Sequence, residues 1–581
     1  MLIYEDAILD IISTVSGIER KELPQFLGKP KETNFGDYSF SMFAIAKENA
    51  VTPVQAAQML ATGINAHPSL INHKLISKVQ ATGPFVNFFV NQTDFMERVI
   101  TKVKSQKNDY GSQVPIAHYH YVLDYSAPNI AKPFGIGHLR STVIGGSIKK
   151  ILEHCGHRVI GLNYIGDWGT QFGKVIWAFK HWGSEEELQK NSVKHLLDLY
   201  VKFHEEAEKP ENNPKLEDEA REIFAQLEQG NAEYTAMWQR FRDLSLKEFD
   251  RIYGLMNVEF EEVRGEAYYN DKMQAVIDEM EKKGLLTLDD GAMIVDFKAK
   301  DEKSNLPNVI ITKTNGASTY ILRDIASAKD RIESFGADFL LYEVGQEQKL
   351  HFSQLKAILT LMGYEWAERI IHIDHGLYRF NDAKMSTRKG NIVLMEDVLN
   401  DSIERVKLII KEKNTELASS PQFEEVARQV GVGAVMFFDL MNDRVRDVTF
   451  NWEKVLDFSG ESGPYIQYTY ARISSILQKY GKKLPLKIDY SMLGHDLERK
   501  LCIQMNNMPE VIDACAKSYK PHTLARYVLD LAQLFNEYYA TQKIISENEE
   551  VTAARIALIN SVKQVIENSL RLLGIDAPEQ M

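Results

Sequence analysis

The chain has 581 residues, enough for several domains rather than one. With 44% hydrophobic and 26% charged residues it is ordinary globular material, and no stretch reaches the roughly 18 uninterrupted apolar residues of a membrane-spanning helix. A net charge of −13 excludes a protein that coats nucleic acid by charge alone, though not one that binds RNA through local basic patches.

The first ten residues, Met-Leu-Ile-Tyr-Glu-Asp-Ala-Ile-Leu-Asp, carry acids where a signal peptide needs positive charge, so a cytoplasmic location is expected. Residues 1–110 read as a small α+β domain. Ile8, Ile11, Ile12 and Val15 recur at helical spacing, and Gly83-Pro-Phe-Val-Asn-Phe-Phe-Val has the composition of a strand. The pattern over 118–156 is strand (His118-Tyr-His-Tyr-Val-Leu-Asp-Tyr), glycine-bearing loop, then helix from Leu139 to a stop at Gly156. A second strand, His157-Arg-Val-Ile-Gly-Leu-Asn-Tyr-Ile, leaves through Gly166-Asp-Trp-Gly-Thr-Gln-Phe-Gly173. That is the start of a doubly wound α/β sheet, in which ligands lie at the carboxyl ends of the strands.

Residues 181–290 are mostly helical and charged, with much of the acid in 205–228, and read as an insertion between two halves of the sheet. The α/β pattern resumes with Asn308-Val-Ile-Ile-Thr and Asp338-Phe-Leu-Leu-Tyr-Glu-Val-Gly, and Ile370-Ile-His-Ile-Asp-His precedes a lysine-rich segment. Residues 391–459 link to a helical region over 460–581. Its apolar stripes include Leu524, Val528, Leu531 and Phe535, then Ile559, Val562, Ile566 and Leu570, closed by Gly574. Cys155, Cys502 and Cys515 are too few and too scattered for a disulfide framework. His154-Cys155-Gly-His157 lacks the second ligand pair of a structural zinc site.

Two segments carry phosphate chemistry. A glycine-rich turn opening onto a helix places bare N–H groups and a dipole where phosphate can sit. Here the turn ends on His138, with Lys132 upstream and Arg140 downstream. Lys384-Met-Ser-Thr-Arg-Lys-Gly390 offers cations beside small hydroxyls, suited to a triphosphate and to charge that grows in a transition state. A capping histidine and a solvated charged loop are the competing readings of each segment alone; in this order, together, they point to adenylation with ATP. Asp124, Glu266, Tyr320 and Asp324 recur where they could hold a cation, with Tyr320 and Asp324 on one helical face. A guanidinium needs carboxylates of this kind. Surface pairs and caps are the alternative for any one of these acids.

Five ordered motifs resemble those of the class I aminoacyl-tRNA synthetases, and within them the arginyl-tRNA synthetase family, over nearly the whole chain. They are Phe35-Gly-Asp-Tyr38, Ser126-Ala-Pro-Asn-Ile-Ala-Lys-Pro-Phe-Gly-Ile-Gly-His-Leu-Arg-Ser-Thr142, Gly166-Asp-Trp-Gly-Thr-Gln-Phe-Gly173, Lys384-Met-Ser-Thr-Arg388, and Ser462-Gly-Pro-Tyr-Ile-Gln-Tyr-Thr-Tyr-Ala-Arg472. The resemblance implies a Rossmann-type catalytic domain over 111–390, an N-terminal domain that touches the tRNA elbow and a C-terminal helical bundle that binds the anticodon. It implies arginine activation with ATP and Mg²⁺, with no tightly held protein-ligated metal, and transfer to the terminal adenosine of tRNA. A monomer is expected, as is activation that needs bound tRNA.

In that picture Pro128, Lys132, Gly135, Ile136, Gly137, His138, Met385, Ser386 and Thr387 bind ATP, and His138, Lys384, Arg388 and Lys389 carry catalysis. Asp124, Asn129, Glu266, Tyr320, Asp324 and Gln348 hold arginine, with Glu266 and Asp324 as the preferred guanidinium partners. Phe35, Tyr38, Tyr465, Gln467, Tyr468 and Arg472 contact tRNA. Two departures stand out. The first histidine of the "HIGH" signature is Gly135, and the second lysine of "KMSKS" is Thr387, beside Arg388 and Lys389. The competing readings are a class I synthetase for another amino acid and an RNA-binding paralogue without catalysis.

Overall fold

The computed structural model describes residues 2–30, 32, 35–48, 50–67, 74–112, 117–130, 134–314, 316–380 and 393–581. The chain forms two compact units, one of residues 1–108, 479–506 and 534–564, the other of 109–478, 507–533 and 565–581. Residues 479–506 and 534–564 of the C-terminal helical region belong to the first unit and the rest of it to the second. Helical periodicity shows that these segments have apolar faces, but not which face meets which.

In the first unit, four strands pair antiparallel in the order Leu27–Gly28, Tyr38–Ser41, Phe85–Val90, Ile76–Thr82. Helices Leu2–Ser16 and Pro53–Ala66 belong to this unit, the second opened by a reciprocal cap between Thr52 and Gln55. Ile8, Ile11 and Ile12 are buried as their spacing foretold. Gly36 sits at φ +117°, where a Cβ would lie 2.9 Å from the Phe88 carbonyl.

In the second unit, five strands form one parallel sheet: β1 (His120–Asp124), β2 (Arg158–Asn163), β3 (Glu262–Val263), β4 (Phe339–Gly345) and β5 (Ile370–His375). Their spatial order is β5-β4-β1-β2-β3. Strand order reverses between β1 and β4, and the crevice above their carboxyl ends is where such sheets bind ligands. The helices used below are α1 (Leu139–His154), α2 (Tyr320–Phe335) and α3 (Lys349–Leu361). One core joins Val122, Ile160, Leu340 and Tyr342 of the sheet to Leu322 and Ile325 of α2 and Leu355 and Ile358 of α3. Each such side chain contributes about 1.5–3 kcal/mol by leaving water.

Two expectations change. The insertion expected over 181–290 ends earlier, because Glu262–Val263 already pairs with β2 as the edge of the parallel sheet. A two-residue strand is too short to show a period. The Asn308-Val-Ile-Ile-Thr segment does not resume that sheet either. Val309–Thr312 pairs antiparallel with Ala292–Val295, which pairs with Thr287–Asp289. Asp290 and Gly291, both at positive φ (46° and 79°), turn that hairpin. Asp-Gly is the composition that such a tight turn requires.

Candidate active site

The loop after β1 departs from the sheet through two non-glycine residues in the left-handed region, Ser126 (φ 71°) and Ala127 (φ 47°). A buried hydroxyl network holds them there. The Ser126 N–H donates to Ser141 Oγ at 2.8 Å. Thr142 donates its hydroxyl to the His138 carbonyl (2.7 Å), so Ser126 Oγ donates to Thr142 (2.7 Å) and accepts from the Tyr253 hydroxyl (2.8 Å). Pro128 and Asn129 then run beside the turn that leaves β2. The Gly166 N–H donates to the Pro128 carbonyl (3.0 Å), and the Ile130 N–H to the Gly166 carbonyl (3.0 Å). A Cβ on Gly166 would lie 2.3 Å from Asn129 Oδ1. Gly166→Ala therefore displaces Asn129. If the resemblance holds, with Asn129 in the arginine site, kcat/KM for arginine should fall about 100-fold, a loss that a 1 Å misplacement can cause, as read by arginine-dependent pyrophosphate exchange.

Asp167 anchors the same turn and is buried. Its carboxylate accepts from Arg242 Nε (3.0 Å) and from the Ala267 N–H (2.9 Å), and its carbonyl accepts from Trp238 Nε1 (2.8 Å). The Glu266 N–H donates to the Ile165 carbonyl at 3.1 Å. The motif Gly166-Asp-Trp-Gly thus fixes where Glu266 stands, a role that sequence reasoning did not assign to Asp167.

The glycine turn opens α1 as expected. Ile136–His138 forms a single tight turn, with Gly135 and Ile136 buried, Gly137 exposed and His138 half-buried. His138 Nδ1 lies 3.3 Å from the Gly135 carbonyl, and burial pushes the imidazole below its ordinary pKa. The chain that follows the lysine segment returns to this turn: the Ile136 N–H donates to the Val393 carbonyl (2.9 Å) and the Met395 N–H to the Phe134 carbonyl (2.9 Å). Lys132, Lys384, Met385, Ser386, Thr387, Arg388 and Lys389 lie outside the described residues.

Arg140 does not stand with the phosphate-side cations. It is buried, pairs with Asp439 at 3.0 Å, and donates to the carbonyls of Gly376 (2.9 Å) and Arg446 (2.6 Å). One residue inside a helix, its side chain falls on the core face.

The acids fall into two groups. Asp124, at the end of β1, is 3% exposed and pairs with Arg331 of α2 at 2.8 Å. Burial pushes the Asp124 carboxyl up, to about 6, against the pull of Arg331. Burial also works against the Arg331 charge, but Asp124 holds its pKa well above the ordinary value. The guanidinium lies 5.2 Å from the Tyr164 ring centre and 5.0 Å from that of Tyr342. Asp124 is thus a correction to the arginine-binding set: its charge is already answered inside the fold.

Glu266 and Asp324 form the second group. Both act on the Tyr164 hydroxyl, which burial first and these two acids next push well above its ordinary pKa. Asp324 accepts from His351 Nε2 at 2.6 Å, and Arg323 approaches Glu266 no closer than 3.9 Å. Tyr320 opens α2 one turn before Asp324, 72% exposed, and Gln348 is exposed just before α3.

The candidate tRNA contacts divide by exposure. Phe35 is exposed; Tyr38 is buried in the first unit's sheet and offers no surface to a ligand. Tyr468 is exposed with Arg472 over its ring at 4.7 Å, and Tyr465 is half-buried. Gln467 is fully buried, its amide donating to the carbonyls of Gln429 (3.0 Å) and Asp576 (2.8 Å). Tyr38 and Gln467 are therefore corrected to structural residues; motif spacing alone does not separate inward from outward positions.

Comparison with known proteins agrees with this geometry. Residues 99–452 match the family model for class I tRNA synthetases (R), catalytic domain; 466–581 match the DALR anticodon binding domain; and 3–90 match the arginyl tRNA synthetase N terminal domain. The fold is that of a class I aminoacyl-tRNA synthetase. The arginine–tRNA ligase of Clostridioides difficile is 42% identical over 98% of this chain and 97% of its own length. That of Exiguobacterium sibiricum is 43% identical over 100% and 99%. The chain belongs to the arginyl-tRNA synthetase family. The Thermus thermophilus arginyl-tRNA synthetase structure shares the fold, with a TM-score of 0.77 at 24% identity over 99% of this chain and 100% of that one.

Proposed function

We propose that the chain is an arginine–tRNA ligase that activates L-arginine with ATP and transfers it to the 3′-terminal adenosine of its tRNA. The observation that carries this reading is a pair of acids, Glu266 and Asp324, whose charge reaches the buried Tyr164 hydroxyl just after β2, on a sheet whose switch point lies where β1 leads into the glycine turn that opens α1. The arginine carboxylate attacks the α-phosphorus of ATP, and pyrophosphate leaves. A ribose hydroxyl then attacks the acyl carbon, and AMP leaves. Catalysis is positioning and charge stabilisation.

Pro128 and the 135–138 turn line the nucleotide, with His138 and the first turn of α1 toward its phosphates. Lys384, Arg388 and Lys389 serve the pyrophosphate. Asn129 takes the amino-acid end of arginine, Glu266 and Asp324 its guanidinium, and Tyr320 and Gln348 complete the pocket. Mg²⁺ would arrive with the triphosphate and neutralise part of its charge. Phe35 serves the tRNA elbow, and Tyr465, Tyr468 and Arg472 the anticodon loop.

No helix among the described residues is long and apolar enough to cross a membrane, and the proposed place of action is the cytoplasm. The test is charging of an unfractionated tRNA pool with labelled amino acids. Arginine alone should become acid-precipitable on tRNA; charging with a different amino acid, or none, would overturn the reading.

A further inference from the structure

The end of β5, Asp374-His375-Gly376, carries chemistry that the proposed reaction does not yet use. β5 runs parallel to β4 with His375 opposite Gly345, so His375 stands at the carboxyl edge beside the switch point. Its Nδ1 lies 2.8 Å from Glu343 Oε1; the imidazole is 12% exposed and the Glu343 side chain fully buried. The backbone beneath is held on both sides. The Gly376 N–H donates to the Arg444 carbonyl at 2.8 Å, its own carbonyl accepts from Arg140 at 2.9 Å, and a Cβ there would lie 2.6 Å from the Arg446 carbonyl group.

The charged and titratable groups facing this ring are Glu343 of β4, Arg140 of α1, Asp439 of the helix Phe423–Leu440, His372 and Asp374 of its own strand, and His138 before α1. Arg140 and Asp439 answer each other at 3.0 Å, and Asp374 is answered by Lys349 and Arg444 at 2.7 Å each. Among the described residues, that leaves Glu343 with His375 as its one ion-pair partner. A buried carboxylate without a counter-charge is strongly disfavoured, so the pair favours a proton on the imidazole. Burial opposes that proton, but Glu343 outweighs it and holds His375 above its ordinary pKa; His138 is pushed the other way, by burial and then by His375.

We propose that His375, at the carboxyl edge of β5 and joined through the Gly376 carbonyl to Arg140 in the first turn of α1, is a second phosphate-side histidine that supplies positive charge at a turn that has glycine at position 135. The proposal rests on the reading of the chain as an ATP-using ligase. His138 stays neutral and hydrogen-bonds; His375 stays charged and stabilises negative charge that moves onto the leaving pyrophosphate. His375 neither gives nor takes a proton in the step.

The experiment measures kcat/KM for ATP in arginine-dependent exchange from about pH 6 to about pH 9, for the unsubstituted chain, His375→Gln, Glu343→Gln and the two combined, with KM for arginine and the thermal midpoint alongside. Glutamine keeps a donor toward Glu343 without the charge. The unsubstituted chain should lose kcat/KM for ATP as pH rises through the His375 pKa. Glu343→Gln should move that limb to lower pH. His375→Gln should abolish the limb and lower the plateau roughly 10- to 100-fold with KM for arginine unchanged; its thermal midpoint should fall, because Glu343 loses its counter-charge, and the double substitution His375→Gln with Glu343→Gln should recover the midpoint but not the plateau. An unaltered limb and plateau in His375→Gln, or a loss that only follows the thermal midpoint, would overturn the proposal. If the unsubstituted chain shows no arginine-dependent exchange, the ligase reading fails instead. Calorimetric titration with ATP over the same pH range then decides on His375: a pH-dependent Kd that His375→Gln flattens supports it, and a pH-independent Kd overturns it.

Discussion

Arg331→Met is expected to destabilise the catalytic domain by about 3–5 kcal/mol, because it leaves the buried Asp124 carboxylate without its counter-charge. The pair lies 2.8 Å apart with both side chains almost wholly out of water, between the Tyr164 and Tyr342 rings. The double substitution Arg331→Met with Asp124→Leu should recover most of the loss, since an apolar pair of similar volume replaces a desolvated ionic one. Denaturant unfolding of the three variants, followed by a catalytic-domain signal, checks this. Arg331→Met with an unchanged midpoint would show that the pair is not held in the folded state. Asp124→Asn bears on function as well: with its carboxylate already engaged, KM for arginine should shift only a few-fold while stability falls.

Glu266→Gln and Asp324→Asn should behave oppositely. Each is expected to cost about 2–5 kcal/mol of arginine recognition, the range for truncating one partner of a desolvated charge pair, or roughly 30- to 5000-fold in kcat/KM for arginine, with little change in thermal midpoint. The two acids act on one tyrosine, and neither is seen against a buried guanidinium as Asp124 is: among the described residues Asp324 meets His351 at 2.6 Å, and Glu266 lies 3.9 Å from Arg323. A parallel loss in kcat/KM for ATP would mean that they shape the site generally rather than read the guanidinium.

The legible part of this protein was whatever local sequence dictates. The glycine turn, α1 and the strand before it follow from composition and periodicity, and the fold class follows from strands alternating with helices. The part that was not legible depends on which way a side chain points. Arg140 sits two residues after a phosphate-type histidine, yet it faces the core and holds Gly376 and Arg446 in place. Asp124 reads as a ligand until Arg331, over 200 positions further on, is brought against it. Gln467 and Tyr38 stand within convincing motifs and are nonetheless interior. Nothing near His375 in sequence marks it; its partner, Glu343, comes from the neighbouring strand. The hairpin at Asp290-Gly291 did carry a local signal, which the apolar run after it obscured.

The measurement that tests the central claim most directly is ATP–pyrophosphate exchange by the purified chain, with and without an arginine-accepting tRNA, offered arginine, lysine and citrulline in turn. The proposed pocket, with two carboxylates to take a guanidinium, requires arginine. Citrulline keeps the length of that side chain but lacks its charge, and lysine cannot bridge two acids with a planar fork. Exchange that depends on arginine and fails with the other two would establish the ligase and the pocket together. Exchange with lysine or citrulline at a comparable rate, or none with any of the three while the tRNA still binds, would contradict the account.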